Sequence, residues 1–171
     1  MKYRNFTIHF CVMKKWLLFL IISCFTAYAT AQEVKPLTSA QLKAYTQKQD
    51  GIYVINLWAT WCRPCVEELP DIEKVAVSLH DKPVHVMLVS LDYASAYPKT
   101  IQRFIAQHHL QSPVYWLNET NPNAINEILG GQWMGVVPTT LVVNAKTGYR
   151  RLFQGQITAD ELMHAIHLAM N

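Results

Sequence analysis

The 171-residue sequence is short of features on which several classes of protein depend. Its six glycines form no Gly-rich phosphate loop, so nothing in it predicts a nucleotide-binding site. It contains no internal repeat and no low-complexity tract, which excludes a repeat array and a largely disordered chain. No Ser/His/Asp signature of a hydrolase is present either. At this length there is room for one domain with a hydrophobic core and a short additional segment.

The first 31 residues contain no acidic side chain, whereas 12 acidic residues follow them. Four of the 15 basic residues lie in this leading segment. The remaining 11 basic and 12 acidic side chains give residues 32–171 a net charge of −1, although the whole chain carries +3. Because the excess positive charge belongs to the leading segment, we expect no nucleic-acid-binding surface on the rest of the chain.

Residues 1–31 show the order of features typical of a secretory signal peptide. Two lysines precede an apolar run at residues 16–22 that is too short to span a bilayer comfortably, and an Ala-x-Ala pattern ends at Ala31. Two alternatives stay open. The segment could be an N-terminal anchor or buried helix, or a lipoprotein signal, because the four residues ending at Cys24 loosely resemble a lipobox. We therefore expect a periplasmic or other extracytoplasmic protein, with a membrane-tethered form as an alternative.

After a linker at residues 32–37, residues 38–171 show the alternating strand and helix patterns of a single domain. The predicted strands are 52–58, 84–91, 114–116, 139–143 and 149–153, and the predicted helices are 38–47, 63–80, 98–109, 121–129 and 158–170. Two βα units followed by a hairpin and a final helix predict an α/β domain, a central mixed β-sheet flanked by helices on both faces. In the second helix, the residues expected to face inward are Val66, Leu69, Ile72, Val75, Val77 and Leu79.

Only two cysteines, Cys62 and Cys65, lie outside the leading segment. In an oxidising compartment, a pair spaced by two residues is either a working disulfide or a local staple. The strand that ends at Trp58 delivers the chain to a helix beginning near Arg63, so Cys62 lies at a helix N-terminus, where free N–H groups and the helix dipole favour a thiolate. We predict that Cys62 is the nucleophile and that Cys65, nearly one turn later and better shielded, resolves the mixed disulfide.

The stretch at residues 58–70, Trp-Ala-Thr-Trp-Cys-Arg-Pro-Cys-Val-Glu-Glu-Leu-Pro, resembles the active site of the thioredoxin superfamily. Its Cys-x-x-Cys-x-x-Glu-x-Pro form is similar to the TlpA/ResA-like extracytoplasmic disulfide reductases. Residues 135–143 resemble the cis-proline loop of that family and the strand after it, and residues 144–148 resemble its hairpin. The resemblance covers about residues 38–170. It implies a thioredoxin-like fold and a redox-active Cys62–Cys65 disulfide.

The resemblance also implies roles for residues near the cysteines. Pro138 would follow a cis peptide bond beside the pair, which leaves a backbone edge at Val137 for an extended substrate. Trp61, Arg63 and Pro64 would contact the substrate with Val137. Pro64 is tolerated in the first helical turn, where its missing N–H is not needed, and Arg63 adds positive charge beside the thiolate.

Glu68 matches the active-site carboxylate of the TlpA/ResA-like family, about one helical turn beyond Cys65. If it is partly buried, it could hold or release the proton that Cys65 must lose before it attacks. The alternative is a solvated helix residue like its neighbour Glu67. Asn56 occupies the position at which cytoplasmic thioredoxins carry a buried Asp, which leaves Glu68 as the better candidate for proton transfer.

The sequence therefore predicts an exported thiol–disulfide oxidoreductase. The resemblance implies that it reduces disulfides in exported proteins and receives electrons from a membrane thiol carrier. By the resemblance, the apocytochromes of cytochrome c maturation are among the possible substrates. No cofactor is expected, and no metal, because the seven histidines show no convincing ligand spacing. Two alternatives stay open: an oxidase or isomerase that donates disulfides, and a non-catalytic binding module with a static disulfide.

Overall fold

The computed structural model describes residues 32–171. The strands are β1 (Lys35–Leu37), β2 (Ile52–Trp58), β3 (Val84–Ser90), β4 (Val114–Leu117), β5 (Thr139–Asn144) and β6 (Tyr149–Gln154). The helices are α1 (Ser39–Tyr45), α2 (Arg63–Ser78), α3 (Lys99–His108), α4 (Pro122–Ile128) and α5 (Ala159–Met170). The predicted signal peptide lies outside the described residues.

The strands form one sheet in the order β1-β4-β3-β2-β5-β6. β1, β4, β3 and β2 run parallel to one another, whereas β5 is antiparallel to both β2 and β6. The carboxyl ends of β2 and β3 and the start of β5 therefore lie at the same edge, as the pairs Trp58 with Ser90 and Leu57 with Thr139 show. The loops that carry the candidate site all leave the sheet at this edge.

Side-chain alternation along β2 divides the core into two layers, because successive residues of a strand point to opposite faces. Ile52, Val54 and Trp58 pack in the layer that contains the buried residues of α2, α3 and α5. Tyr53 and Leu57 pack in the other layer, with the buried residues of α1 and α4. Helices on both faces of a mixed sheet are the predicted α/β architecture, which is confirmed.

Local capping explains where two of the helices begin. Thr38 accepts a hydrogen bond from the backbone N–H of Gln41 before α1, and Gln41 bonds back to the Thr38 backbone N–H. Thr158 and Glu161 form the same reciprocal pair before α5. Each capping box satisfies backbone donors that the first helical turn leaves free.

Two predictions from the sequence are wrong in detail. The predicted linker at residues 32–37 contains β1, which pairs with β4 from Lys35–Tyr115 to Leu37–Leu117. Val77, predicted to face the core, is 63% exposed. Val77 lies two residues after the buried Val75, which at 3.6 residues per turn is about 200° round the helix and so on its opposite side. Among residues 32–171, no helix is long and apolar enough to span a bilayer.

Candidate active site

Cys62 and Cys65 form a disulfide at the start of α2, with their Cα atoms 5.3 Å apart. Cys62 is the N-cap residue of the helix, and the backbone N–H of Cys65 donates to its Sγ at 3.3 Å. The helix dipole and this N–H favour negative charge at Sγ, so a thiolate at Cys62 is stabilised once the disulfide opens. Cys62 is 5% exposed and Cys65 is fully buried, so the predicted difference in shielding is present but small.

Three of the four residues predicted to contact a substrate lie beside Cys62 on the surface. The side chain of Trp61 is 59% exposed, although it directly precedes a buried cysteine. The Nε of Arg63 donates to the Oε1 of Glu67 at 2.8 Å, so its charge is partly shared with an exposed carboxylate. Pro64 is exposed, and its carbonyl accepts a hydrogen bond from Gln156. An apolar indole and a paired cation are therefore available to a docking protein.

The loop before β5 reaches the same edge of the sheet. The peptide bond between Val137 and Pro138 is cis, as the resemblance implies. Val137 is half-buried and packs against the layer that includes both cysteines. The Pro138 carbonyl accepts a hydrogen bond from Gly155, but no hydrogen bond within residues 32–171 uses the backbone N–H or C=O of Val137. These two groups can therefore pair with an extended chain.

Glu68 is a buried carboxyl group, with 3% of its surface exposed, three residues beyond Cys65 on α2. Its Oε1 accepts from the Nδ2 of Asn56 at 2.7 Å, and its Oε2 accepts from the backbone N–H of Ile157 at 2.9 Å. Burial raises the pKa of Glu68 to about 7, and these two hydrogen bonds hold it lower than burial alone would. A carboxyl group with this pKa exchanges a proton near neutral pH.

Asn56 connects Glu68 to the neighbouring strand. The Nδ2 of Asn56 also donates to the Oγ1 of Thr140 at 3.0 Å, and Asn56 and Thr140 are paired residues of β2 and β5. The Oδ1 of Asn56 is buried and has no hydrogen-bond partner. The amide group therefore directs its donors toward Glu68 and leaves its own acceptor unused, an arrangement that favours the ionised carboxyl group.

A second buried carboxyl group, Asp92, lies at the same edge and was not identified from the sequence. It follows β3 and accepts from both the backbone N–H and the hydroxyl of Thr60, in the loop that leads to Cys62. A polar residue directly after the carboxyl end of a buried strand was the available signal. Residues 32–171 contain no group of three or more His, Cys, Asp and Glu side chains placed to bind a metal ion.

The structure thus brings the sequence-predicted residues together at one edge of the sheet. The cysteine pair and Glu68 share α2, and the Val137–Pro138 loop precedes the strand that pairs with β2. A disulfide at the start of the helix after the central strand, together with a cis-proline before an antiparallel strand, defines a thioredoxin-like protein. The thioredoxin-related protein from Neisseria meningitidis serogroup B has the same fold, with 28% identity and a TM-score of 0.62, covering 72% of this chain and 87% of its own.

The chain belongs to the Redoxin family, whose model matches residues 25–161. It is 30% identical over 110 residues to the thiol-disulfide oxidoreductase ResA of Oceanobacillus iheyensis, a match covering 64% of this chain and 52% of that protein. It is 27% identical over 115 residues to the thioredoxin-like protein YneN of Bacillus subtilis, covering 67% of this chain and 63% of that protein. The chain therefore matches about half to two thirds of the length of these relatives. The predicted similarity to TlpA/ResA-like proteins is confirmed.

Proposed function

We propose that this protein is an extracytoplasmic thiol–disulfide oxidoreductase that reduces disulfides in exported proteins. The observation that carries the proposal is the placement of Glu68, a buried carboxyl group with a pKa of about 7, one helical turn from the inner cysteine of a disulfide. A purely structural disulfide needs no proton acceptor beside it. A resolving thiol, in contrast, must lose its proton to a nearby base before it can attack.

In the first step, the Cys62 thiolate attacks one sulfur of the substrate disulfide. The S–S bond of the substrate breaks, its other sulfur leaves as a thiolate that takes a proton from water, and Cys62 is joined to the substrate as a mixed disulfide. The start of α2 and the N–H of Cys65 stabilise the attacking thiolate. The free backbone groups of Val137 and the indole of Trp61 hold the substrate beside Cys62.

In the second step, Glu68 accepts the proton of the Cys65 thiol, and the resulting thiolate attacks Cys62. The mixed disulfide breaks, the second substrate thiolate leaves and takes a proton from water, Glu68 releases its proton to water, and the enzyme ends with the Cys62–Cys65 disulfide. The substrate has gained two electrons and two protons overall. The structure contains the oxidised pair, which is the product state of this cycle, so an external dithiol must return two electrons before the next turnover.

The reductive direction rests on the resemblance of residues 58–70 to the TlpA/ResA-like disulfide reductases, and the extracytoplasmic location rests on the predicted export signal. An export signal is predicted in residues 1–31, and ResA of Oceanobacillus iheyensis is named a thiol-disulfide oxidoreductase. The proposed electron donor is a membrane-bound thiol carrier, and the proposed substrates are exported proteins with a disulfide, including those of cytochrome c maturation.

Mechanism-based trapping tests the proposal. A Cys65→Ser variant keeps the attacking thiol but cannot resolve the intermediate, so it should accumulate mixed disulfides through Cys62 with exported proteins, which mass spectrometry would name. A Cys62→Ser variant is the matched control and should trap far less. If the Cys65→Ser variant traps nothing and its Cys62 thiol is inert to alkylation, the protein is a binding module and the proposal is wrong.

The reduction potential decides the direction of electron flow. A reduction potential of about −270 mV, at the reducing end of the thioredoxin-like range, is expected for a reductase. A value near about −120 mV would instead identify a disulfide donor. Equilibration with glutathione of known ratio, followed by quantification of the two redox forms, supplies this value. An isomerase would be recognised by its restoring activity to a substrate with scrambled disulfides.

A further inference from the structure

Asp92 ties the loop before Cys62 to the end of β3. Its carboxyl group is 5% exposed, and Oδ1 accepts from the hydroxyl of Thr60 at 2.7 Å. Oδ2 accepts from the backbone N–H of Thr60 at 3.0 Å and from the hydroxyl of Ser90 at 2.7 Å. Three donors thus converge on the two oxygens of one side chain, and Oδ1 alone is within reach of both Thr60 donors. Because these groups are buried or half-buried, losing the acceptor would leave donors without partners.

The position of Asp92 is itself fixed from three sides. Its backbone N–H donates to the Oγ of Ser90 at 3.1 Å, and its carbonyl accepts from the Nε1 of Trp116 at 2.8 Å. The preceding residue, Leu91, donates its N–H to the carbonyl of Trp58 at 2.8 Å, at the end of β2. Asp92 is therefore a rigid support, and the loop is the part that it restrains.

The loop at residues 59–61 has few other polar restraints, although its first residue, Ala59, is fully buried in the core. Thr60 is half-buried, Trp61 is exposed, and the N–H of Cys62 bonds only to the nearby carbonyl of Ala59. Within residues 32–171, the hydrogen bonds to Asp92 are the polar contacts that link this loop to the segment that follows β3. The indole of Trp61 and the sulfur of Cys62 are the next groups along the chain.

We propose that Asp92 is a positioning residue for thiol–disulfide exchange, which holds the loop so that Trp61 and Cys62 meet the substrate in one fixed arrangement. The inference rests on the proposed function, because it concerns the same exchange reaction. Asp92 acts through Thr60 and does not touch the reacting sulfurs. When the tether is lost, only a fraction of the molecules present the competent loop, and the rate of mixed-disulfide formation falls to that fraction of its natural value.

Truncation of Asp92 tests this role against an ordinary structural one. Asp92→Ala removes the acceptor, and we expect kcat/KM for a disulfide substrate to fall about tenfold, as the loss of one charged hydrogen bond predicts. Asp92→Asn keeps one acceptor for Thr60 and can donate its amide to the Oγ of Ser90. It should therefore remain within about threefold of the natural protein.

Glu73 offers a matched control. Its carboxyl group likewise tethers a loop, accepting from the backbone N–H groups of Gln111 and Ser112 and from the Ser112 hydroxyl. It lies eight residues beyond Cys65 on α2, about 12 Å along the helix axis. Glu73→Ala should lower the denaturant midpoint of unfolding as Asp92→Ala does, but it should leave kcat/KM close to the natural value.

A second pair of variants keeps the test decisive if Asp92→Ala does not fold. Thr60→Val removes the hydroxyl donor and keeps the shape, whereas Thr60→Ser keeps the hydroxyl. We expect Thr60→Val to lose several-fold in kcat/KM and Thr60→Ser to retain it. Where Asp92→Ala does fold, its effect and that of Thr60→Val should combine less than additively, since both break the same contact.

The outcomes separate the two proposals. An active natural protein in which Asp92→Ala and Glu73→Ala are equally active, or in which Thr60→Val matches Thr60→Ser, overturns the positioning role alone. An Asp92→Asn variant as impaired as Asp92→Ala also overturns it, because charge and not the tether would then be responsible. A natural protein that exchanges no disulfides refutes the proposed function, and this inference with it.

Discussion

The buried carboxyl group of Glu68 on α2 accepts a hydrogen bond at 2.7 Å from the side-chain amide of Asn56 on the central strand. A strand residue thus contacts the proton-exchanging group of a helix residue 12 positions further along the chain, three residues beyond Cys65. The backbone N–H of Ile157 donates a hydrogen bond to the other oxygen of the carboxyl group. Three elements therefore set the pKa of Glu68, and changes in any of them should be measurable.

Glu68 should make the stability of the protein fall as the pH rises toward neutrality. Burial raises its pKa from 4.5 to about 7. Between these values the folded protein keeps a proton that the unfolded chain releases, so the free energy of unfolding decreases with increasing pH. The full difference corresponds to a loss on the order of 3 kcal/mol, complete above about pH 7 and absent below about pH 4.5. Urea unfolding at a series of pH values measures it.

Two substitutions isolate this effect. Glu68→Gln removes the titrating group, so the loss of stability between about pH 4.5 and 7 should largely disappear. Glu67→Gln changes the exposed neighbour, whose pKa is lowered by its hydrogen bond to Arg63, and should keep the loss. A Glu68→Gln variant with the natural pH dependence would show that Glu68 is not the group responsible.

Removing the amide of Asn56 should shift the pH profile of turnover. Asn56→Leu deletes a hydrogen bond that lowers the pKa of Glu68, so this pKa should rise further. Because the ionised carboxyl group accepts the Cys65 proton in our proposal, the acidic limb of kcat should move to higher pH by about one unit.

Thr140→Val serves as the control for this shift. It removes the other acceptor of the Asn56 amide but touches no atom of Glu68. Its acidic limb should stay where the natural protein has it. If Asn56→Leu leaves the limb in place as well, Glu68 does not limit the resolving step.

Features with a local cause could be predicted from the sequence. The bounds of β2 follow from an apolar, β-rich run that begins after Gly51 and ends before the helix. The start of α5 follows from Thr158 and Glu161, which form a capping box within four residues. The Cys62–Cys65 disulfide closes a similarly short loop. In each case the residues that determine the structure are neighbours in the chain.

Features that depend on distant pairing could not be predicted. β1 has three residues, too few to show a period, and it is a strand only because β4 lies beside it, 80 positions away at Lys35 and Tyr115. Thr60 and Asp92 are 32 positions apart, and their contact requires β2 and β3 to be neighbours in the sheet. The sequence shows that such residues are present, but it does not show which distant residue each of them contacts.

Gly51 should resist substitution because of crowding. A Cβ added there would lie 2.4 Å from the carbonyl oxygen of Pro83, which also accepts the N–H of Ile52 at 2.8 Å. Backbone must move to admit it, so Gly51→Ala should cost about 1–3 kcal/mol of unfolding free energy. At Gly148 an added Cβ would meet no atom within 4 Å, so no clash is expected there. The φ of Gly148 is +76°, which side chains disfavour, so Gly148→Ala should cost about 1 kcal/mol of conformational free energy.

Chemical denaturation measures the cost of each substitution. Enlarging Gly51 should be worse than enlarging Gly148, because a clash with backbone cannot be relieved by rotating a side chain. A Gly51→Ala variant as stable as the natural protein would contradict the close approach to Pro83.

Reduction of the Cys62–Cys65 disulfide should leave the protein folded. The bond closes a loop of only four residues, for which the chain-entropy model gives a stabilisation of about 2 kcal/mol. The two hydrophobic layers that hold the sheet extend far beyond the cysteines, so this loss is small against the rest of the core. An enzyme that alternates between both redox forms requires this tolerance.

Urea unfolding with and without a phosphine reductant measures the difference, and a Cys62→Ser, Cys65→Ser double variant should match the reduced protein. Unfolding upon reduction would instead identify the bond as a structural staple, since a working oxidoreductase must stay folded when its disulfide is reduced.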